Sequence, residues 1–170
     1  AIYGFANILF KIMDTYKPSH ISVAFDLKAP TFRHKQYDAY KGNRKKMPDE
    51  LREQAEPLKK MIDGFGINRI ELEGYEADDL IGTVAKNFEQ DGFEVYIITG
   101  DKDALQLVSD KIKVLFTKKG ISELDEYDPD KMTEKYELTP QQFIDLKGLM
   151  GDQSDNIPGV AGIGEKTGIK

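Results

Sequence analysis

Residues 74–103 read GYEADDLIGTVAKNFEQDGFEVYIITGDKD, and the pattern of apolar residues changes twice within them. Leu80, Ile81, Val84, Ala85 and Phe88 recur at helical spacing after an acidic opening, so a helix is expected from Glu76 to about Gln90, ended by Gly92. Phe93 to Thr99 is then a β-branched and aromatic run. It is nearly continuous in apolar character toward its end, as in a strand covered on both faces. Asp101 and Asp103 follow across Gly100. In open α/β sheets the active crevice lies beyond the carboxyl ends of strands, which is where these two acids fall.

The same alternation extends upstream. Ile2, Phe5, Leu9, Ile12, Met13 and Tyr16 mark a helix stopped by Lys17-Pro18, and the chain begins inside it. His20 to Phe25 (HISVAF) reads as a strand with Asp26 at its end. Pro48-Asp49-Glu50 opens a helix whose stripe is Leu51, Ala55, Leu58, Met61, Ile62 and Phe65, closed by Gly64 and Gly66, and Ile67 to Leu72 is a short strand. Downstream, strands are expected at Ile112–Phe116 and Gly120–Leu124 around a Lys118-Lys119-Gly120 turn. Asp128-Pro129 and Thr139-Pro140 each form a helix N-cap followed by proline. The order of elements predicts an α/β fold with a mainly parallel sheet. Its 170 residues suffice for one domain that buries about two thirds of the unfolded surface.

Without cysteine the chain has neither disulfides nor thiolate metal sites. Two histidines, His20 and His34, are too few and too scattered for a zinc hydrolase site. No apolar run reaches the roughly 20 residues of a membrane span, and no signal peptide opens the chain, so a soluble intracellular protein without a membrane partner is expected. The net charge of −6 argues superficially against a nucleic-acid partner. Its distribution argues the other way. Lys28, Arg33, Lys35, Lys41, Arg44, Lys45 and Lys46 lie in one stretch with a single acid, Asp38. Setting aside eight clustered carboxylates elsewhere leaves 22 acids against 24 Lys and Arg.

Those eight are Asp26, Glu76, Asp78, Asp79, Asp101, Asp103, Asp152 and Asp155. Taken singly, each has an ordinary explanation. Glu76, Asp78 and Asp79 suit a helix N-terminus, Asp26 and Asp101 suit loops after strands, and GDQSDNIPG suits a solvent turn. Gathered at one sheet edge, however, they would repel one another and need protonation or cations for relief. Two hard divalent ions, Mg²⁺ or Mn²⁺, suit an all-oxygen donor set and are the usual device for hydrolysing a phosphodiester.

Two further stretches are suited to phosphate. In TFRHKQYDAYKGNR, residues Tyr37, Tyr40, Lys41 and Arg44 would share one face if helical, with rings to stack on unpaired bases and cations to hold phosphates. The alternative is that the tyrosines pack on the core and the cations are merely solvated. In GVAGIGEKT, Gly162, Ile163 and Gly164 permit close backbone approach, and Lys166 and Thr167 open the next helix. The glycine spacing is too short for a P-loop, and a backbone clamp suits it better.

FDLKAPTFRHKQYDAYKGNR, GYEADDLIGTVAK, ITGDKDALQL, LKGLMGDQSDNIPGV and GIGEKTGIK occur in this order over nearly the whole chain. In them the sequence resembles the 5′-3′ exonuclease domains of bacterial DNA polymerase I, within the flap endonuclease superfamily. The resemblance implies a PIN-like 5′ nuclease fold. It consists of a twisted, mainly parallel sheet between helices, a catalytic core over 1–150 with a helical arch at about 28–47, and the start of a helix-hairpin-helix over 151–170. It also implies first-metal ligands Asp26, Glu76 and Asp78 with Asp79 accessory, and a second group of Asp101, Asp103, Asp152 and Asp155. Lys41 and Arg44 correspond to arch cations at the scissile phosphate and Arg33 to a DNA-binding cation at the arch base. The hairpin around Gly162, Ile163 and Gly164 corresponds to a duplex contact able to hold K⁺.

The implied substrate is branched or 5′-flapped DNA in primer removal and repair. The implied setting is a monomer in the bacterial cytoplasm with a polymerase domain following. Against the family pattern, both ends read as truncated. A first strand with a further aspartate is missing, so one metal group is a ligand short and a sheet neighbour is exposed, and the second hairpin helix is incomplete. A non-catalytic fragment that binds branched DNA and a PIN-type ribonuclease are the competing readings.

Overall fold

The computed structural model describes residues 1–117 and 124–170; the expected Lys118-Lys119-Gly120 turn and all but the last residue of the Gly120–Leu124 strand lie outside the described residues. The first helix, α1 (Ile2–Tyr16), ends where Lys17 turns left-handed, and its Leu9 and Ile12 are buried. Strand β1 (Ser22–Ala24) pairs in parallel with β2 (Asn68–Ile70), and the Phe25 amide extends the ladder to the Ile70 carbonyl. Both strands are shorter than their apolar runs suggest.

Between them the chain forms α2 (Phe32–Gln36), α3 (Asp49–Arg52) and α4 (Ala55–Gly64). The single helix expected from Pro48 is therefore two. Pro57 has no N–H for the carbonyl four residues back and clashes with it, so it is tolerated only in a first turn, and the helix restarts at Ala55 to place it there. Gln54, at the break, accepts from the amino terminus at 2.7 Å through its side-chain oxygen.

Helix α5 (Ala77–Gln90) leads into β3 (Val95–Thr99), which pairs in parallel with β4 (Ile112–Thr117) in the register Val95↔Ile112 to Thr99↔Phe116. A 3-10 helix, Lys102–Leu107, connects them, and β5 (Leu124–Tyr127) adds antiparallel to β4. Helices α6 (Pro129–Tyr136) and α7 (Pro140–Met150) start as the sequence predicts. The Asp128 carboxylate accepts from the Lys131 amide at 2.8 Å and the Thr139 hydroxyl from the Gln142 amide at 3.2 Å, each with proline at the first helical position. Around this sheet sits the main core, in which Leu105, Ile112, Val114 and Met132 are fully buried.

The parallel sheet is thus present in two pieces, β1-β2 and β3-β4-β5. Strands β1 and β3 do not pair. An apolar cleft of about 420 Å³, lined by Leu9, Ile12, Val23, Ile81, Val84 and Ile97 among others, lies between the pieces. After α7, β6 (Gly151–Asp152) pairs antiparallel with β7 (Ile157–Pro158), and a single turn, α8 (Glu165–Gly168), follows. Gly151 and Gly159 cross so closely that a Cβ on Gly159 would run into the Met150 carbonyl. No helix among the described residues is long and apolar enough to cross a membrane.

Candidate active site

Helix α5 presents the first group of acids at its N-terminus. Glu76 is the N-cap, and the Asp79 carboxylate reaches back to accept from the Glu76 amide at 2.9 Å. Asp26, two residues past β1, accepts from the Ala77 amide at 2.7 Å. The ordinary explanation of these acids therefore holds in part, since Asp26 and Asp79 do satisfy the donors that open the helix. Asp78 caps nothing. Although Asp78 is exposed, partial desolvation of its carboxyl, then the charges of Asp101 and Asp26, push it up to about 6, consistent with acids of three sequence clusters lying near one another.

Basic side chains from the 31–44 stretch enter this cluster. Arg33 grips Asp79 with two parallel hydrogen bonds, both 2.8 Å, which raise the guanidinium's pKa and hold the Asp79 carboxyl below its usual range. The Lys41 ammonium donates to Glu76 at 2.8 Å and lies 3.9 Å from Asp155. Arg44 pairs with the other Asp155 oxygen. Glu76 is only 8% exposed, and Lys41 and Tyr40 supply hydrogen bonds to its carboxylate.

The expected helical face over 37–44 is absent: α2 ends at Gln36 and residues 38–43 are turns. Contacts distant in sequence account for this. The Lys41 amide donates to the Asp155 carbonyl, the Asn43 amide group to the Gln153 carbonyl, and Asn156 to the Ala39 carbonyl, stitching 39–43 to 153–156. Lys41 adopts a left-handed backbone, φ 55°, to satisfy them. Tyr40, expected to stack on bases, is instead 5% exposed. Its hydroxyl lies 3.0 Å from Glu76 and 3.1 Å from Asp155, and burial with those acids raises its pKa. Tyr37 remains exposed.

The second group is held differently. Lys147, in the last turn of α7, bridges Asp103 at 2.9 Å and Asp152 at 2.8 Å. Burial raises the Asp103 carboxyl; it opposes ionisation of Asp152 too, but hydrogen bonds from Lys147 and Ser154 hold that carboxyl well below the usual range. Asp101 accepts from the Asp103 amide at 2.9 Å. Asp155 shares Tyr40 and Lys41 with Glu76 and so leans toward the first group, whereas Asp152 shares Lys147 with Asp103. The sequence reading missed Lys147. Its signal, a cation one turn before GDQSD, is masked because a lysine in a helix's last turn is ordinary.

His34 accepts from the Thr31 amide as part of the α2 cap, and His20 packs against Phe88 and Phe93 just before β1. Gly162, Ile163 and Gly164 form a turn separate from the acids. Gly162 has φ +81°, the Ile163 amide donates to the Val160 carbonyl, and Gly164 caps the turn that holds Lys166 and Thr167.

Among the described residues no three His, Asp or Glu side chains form a ready metal cage; the carboxylates are paired with Arg33, Lys41, Arg44 and Lys147 instead. The donor chemistry nonetheless fits hard divalent ions. Every candidate ligand is a carboxylate oxygen, and mutual repulsion around Asp78 is what such a charge relieves.

The family described as 5′-3′ exonuclease, N-terminal resolvase-like domain, matches residues 1–137, and that described as 5′-3′ exonuclease, C-terminal SAM fold, matches 138–170. DNA polymerase I of Bacillus subtilis (strain 168) is 56% identical over all 170 residues, and that of Mycobacterium bovis 46%; the chain spans 19% of the length of each. Among solved structures, T5 5′-exonuclease with divalent metal ions (zinc) bound superposes with a TM-score of 0.82 at 28% identity, covering 99% of this chain and 66% of that one. Bacteriophage T5 flap endonuclease in a complex with DNA and metal ions gives 0.80 at 27%, covering 98% and 65%. The catalytic core of Rad2, at 22% identity and a TM-score of 0.58, shares the fold.

Proposed function

The chain belongs to the 5′-3′ exonuclease family, and on that premise we propose that it is a metal-dependent 5′-3′ exonuclease and flap endonuclease that hydrolyses DNA phosphodiester bonds. The observation that carries this reading is that shared contacts gather carboxylates from separate elements: Asp26 on the Ala77 amide that opens α5, Glu76 and Asp155 on Tyr40 and Lys41, and Asp103 and Asp152 on Lys147. Asp26, Glu76 and Asp78 would hold one divalent ion with Asp79 beside them, and Asp101, Asp103 and Asp152 the other, with Asp155 between the groups. Bound there, Mg²⁺ or Mn²⁺ would supply a lowered pKa for the attacking water and charge for the departing oxyanion.

The chain's own residues bind and orient. Lys41 and Arg44 exchange carboxylate oxygens for those of the scissile phosphate when substrate enters. Arg33 holds the α5 N-terminus and the neighbouring strand of DNA. Gly162, Ile163, Gly164, Lys166 and Thr167 form the start of a helix-hairpin-helix that grips duplex backbone, with K⁺ at its carbonyls. The substrate is branched or 5′-flapped DNA, as in primer removal and repair, and the bound DNA in the T5 complex supports this class. The chain spans 19% of the length of its polymerase I relative, which supports the reading that it works as the nuclease part of a longer polymerase chain, as a monomer in the bacterial cytoplasm.

Cleavage of a 5′-flapped duplex in Mg²⁺ tests the proposal. Asp101→Asn with Asp103→Asn is expected to slow it about a thousandfold, several kcal/mol of lost charge stabilisation. Unchanged rates overturn the assignment, and flap binding without turnover in saturating Mn²⁺ leaves the non-catalytic reading.

A further inference from the structure

With Tyr40 enclosed, a different pair of aromatic residues lies open beside the acids. Phe32 is 37% exposed and Tyr75 49%, with Leu72 (50%) next to them. The two ring centroids are 5.8 Å apart with their planes tilted by 57°. The pair is fixed by backbone rather than by packing alone: the Phe32 amide donates to the Gly74 carbonyl at 3.0 Å and the Tyr75 amide to the Leu72 carbonyl at 3.3 Å. Tyr75 immediately precedes Glu76, the N-cap of α5.

Arg33 joins this patch to the acidic crevice. Its guanidinium carbon lies 4.5 Å from the Phe32 ring centroid while both its terminal nitrogens hold Asp79. An exposed aromatic surface with a cation along its edge matches a nucleotide, in which a flat π-face and an anionic phosphate sit side by side. A protein partner would match the apolar area without using the cation.

We propose that Phe32 and Tyr75 form a stacking platform for the first unpaired base of the flap, positioning the phosphate beside it against Arg33 and the crevice. The platform rests on the nuclease reading, and it reassigns base stacking from the enclosed Tyr40 to the exposed Phe32 and Tyr75. Both are positioning residues, acting through the substrate's base and not on the reacting atoms.

The test compares two 5′-flapped duplexes in the full-length protein, one with natural unpaired nucleotides and one in which they are abasic. Phe32→Ala and Tyr75→Ala are each expected to raise KM on the natural flap about tenfold with kcat changed less than twofold, while the abasic flap removes the difference between parent and variant. Tyr75→Phe restores the natural KM. Equal losses on both flaps indicate a structural role and overturn the platform, as does no loss on either. If Phe32→Ala lowers the melting temperature, the exposed Tyr75→Ala decides. If the parent protein cleaves neither duplex, the nuclease reading fails separately. The platform is then judged by fluorescence anisotropy in EDTA, where tighter binding of natural than abasic flap must vanish in the variants.

Discussion

The two groups of carboxylates are neutralised by different kinds of structure. Around Glu76 and Asp155 the cations Lys41 and Arg44 come from turns rather than helix, reach acids 35 to 114 residues away, and include a lysine on a left-handed backbone, while Arg33 on Asp79 sits in the short α2. Around Asp103 and Asp152 a single lysine on a regular helix spans both acids, one of them five residues away. Cations on irregular backbone can leave when a phosphate competes for them. One anchored on α7 keeps its place. The comparison therefore separates a group of cations suited to exchange from one that ties its two acids together.

Removing the lysine of the exchangeable group should have the larger effect. On the proposed function, Lys41→Ala removes a phosphate contact, and it leaves the buried Glu76 with Tyr40, the distant Arg33 and the α5 capping amide; flap cleavage is expected to fall about 10²- to 10³-fold. A loss no greater than that of Lys147→Met, measured side by side as kcat, would erase the distinction.

Lys147→Met should cost about 10- to 100-fold, the usual penalty for losing a group that orients ligands. It also has a directional signature. Lys147 helps keep the Asp152 carboxyl low, so its removal raises that pKa and moves the acidic limb of the pH–rate profile to higher pH. An acidic limb that stays in place while activity falls would make Lys147 only a packing residue.

The smallest effect concerns Asp78, which lies between the groups. Its folded-state value of about 6 exceeds the 3.8 of an ordinary aspartate, so its contribution to stability is fully present below 3.8 and lost as pH rises through 6. Asp78→Asn in EDTA is expected to stabilise the protein at pH 7.5 by about 1 kcal/mol, discounted for solvent screening, or roughly 2–4 °C, with the gain fading toward pH 4. A melting-temperature gain independent of pH would refute the repulsion that joins the two groups.

How far these groups could be read from the sequence follows the range of the forces that build them. α1, α5 and the capped starts of α6 and α7 were legible because period, cap and proline act within a few residues. The α3–α4 break was legible in principle through Pro57 but hidden by an unbroken apolar stripe. Tyr37 to Arg44 has helical spacing and no helix, because Asp155, Gln153 and Asn156 take its backbone and side chains into other bonds. The acids themselves stood out by position at element ends. Which cation holds which acid did not, since pairing across a hundred residues leaves no local trace.

That stitching also bears on synthesis. Residues 39–44 leave the ribosome about 110 residues before 153–156, the partners that fix Lys41, Asn43 and Arg44. At roughly 5–20 residues per second, the arriving chain spends on the order of ten seconds with α5 and its acids made but their stitched partners absent. The nascent chain is thus born unable to set Lys41, Asn43 and Arg44, and it fixes them only once the turn after α7 has emerged.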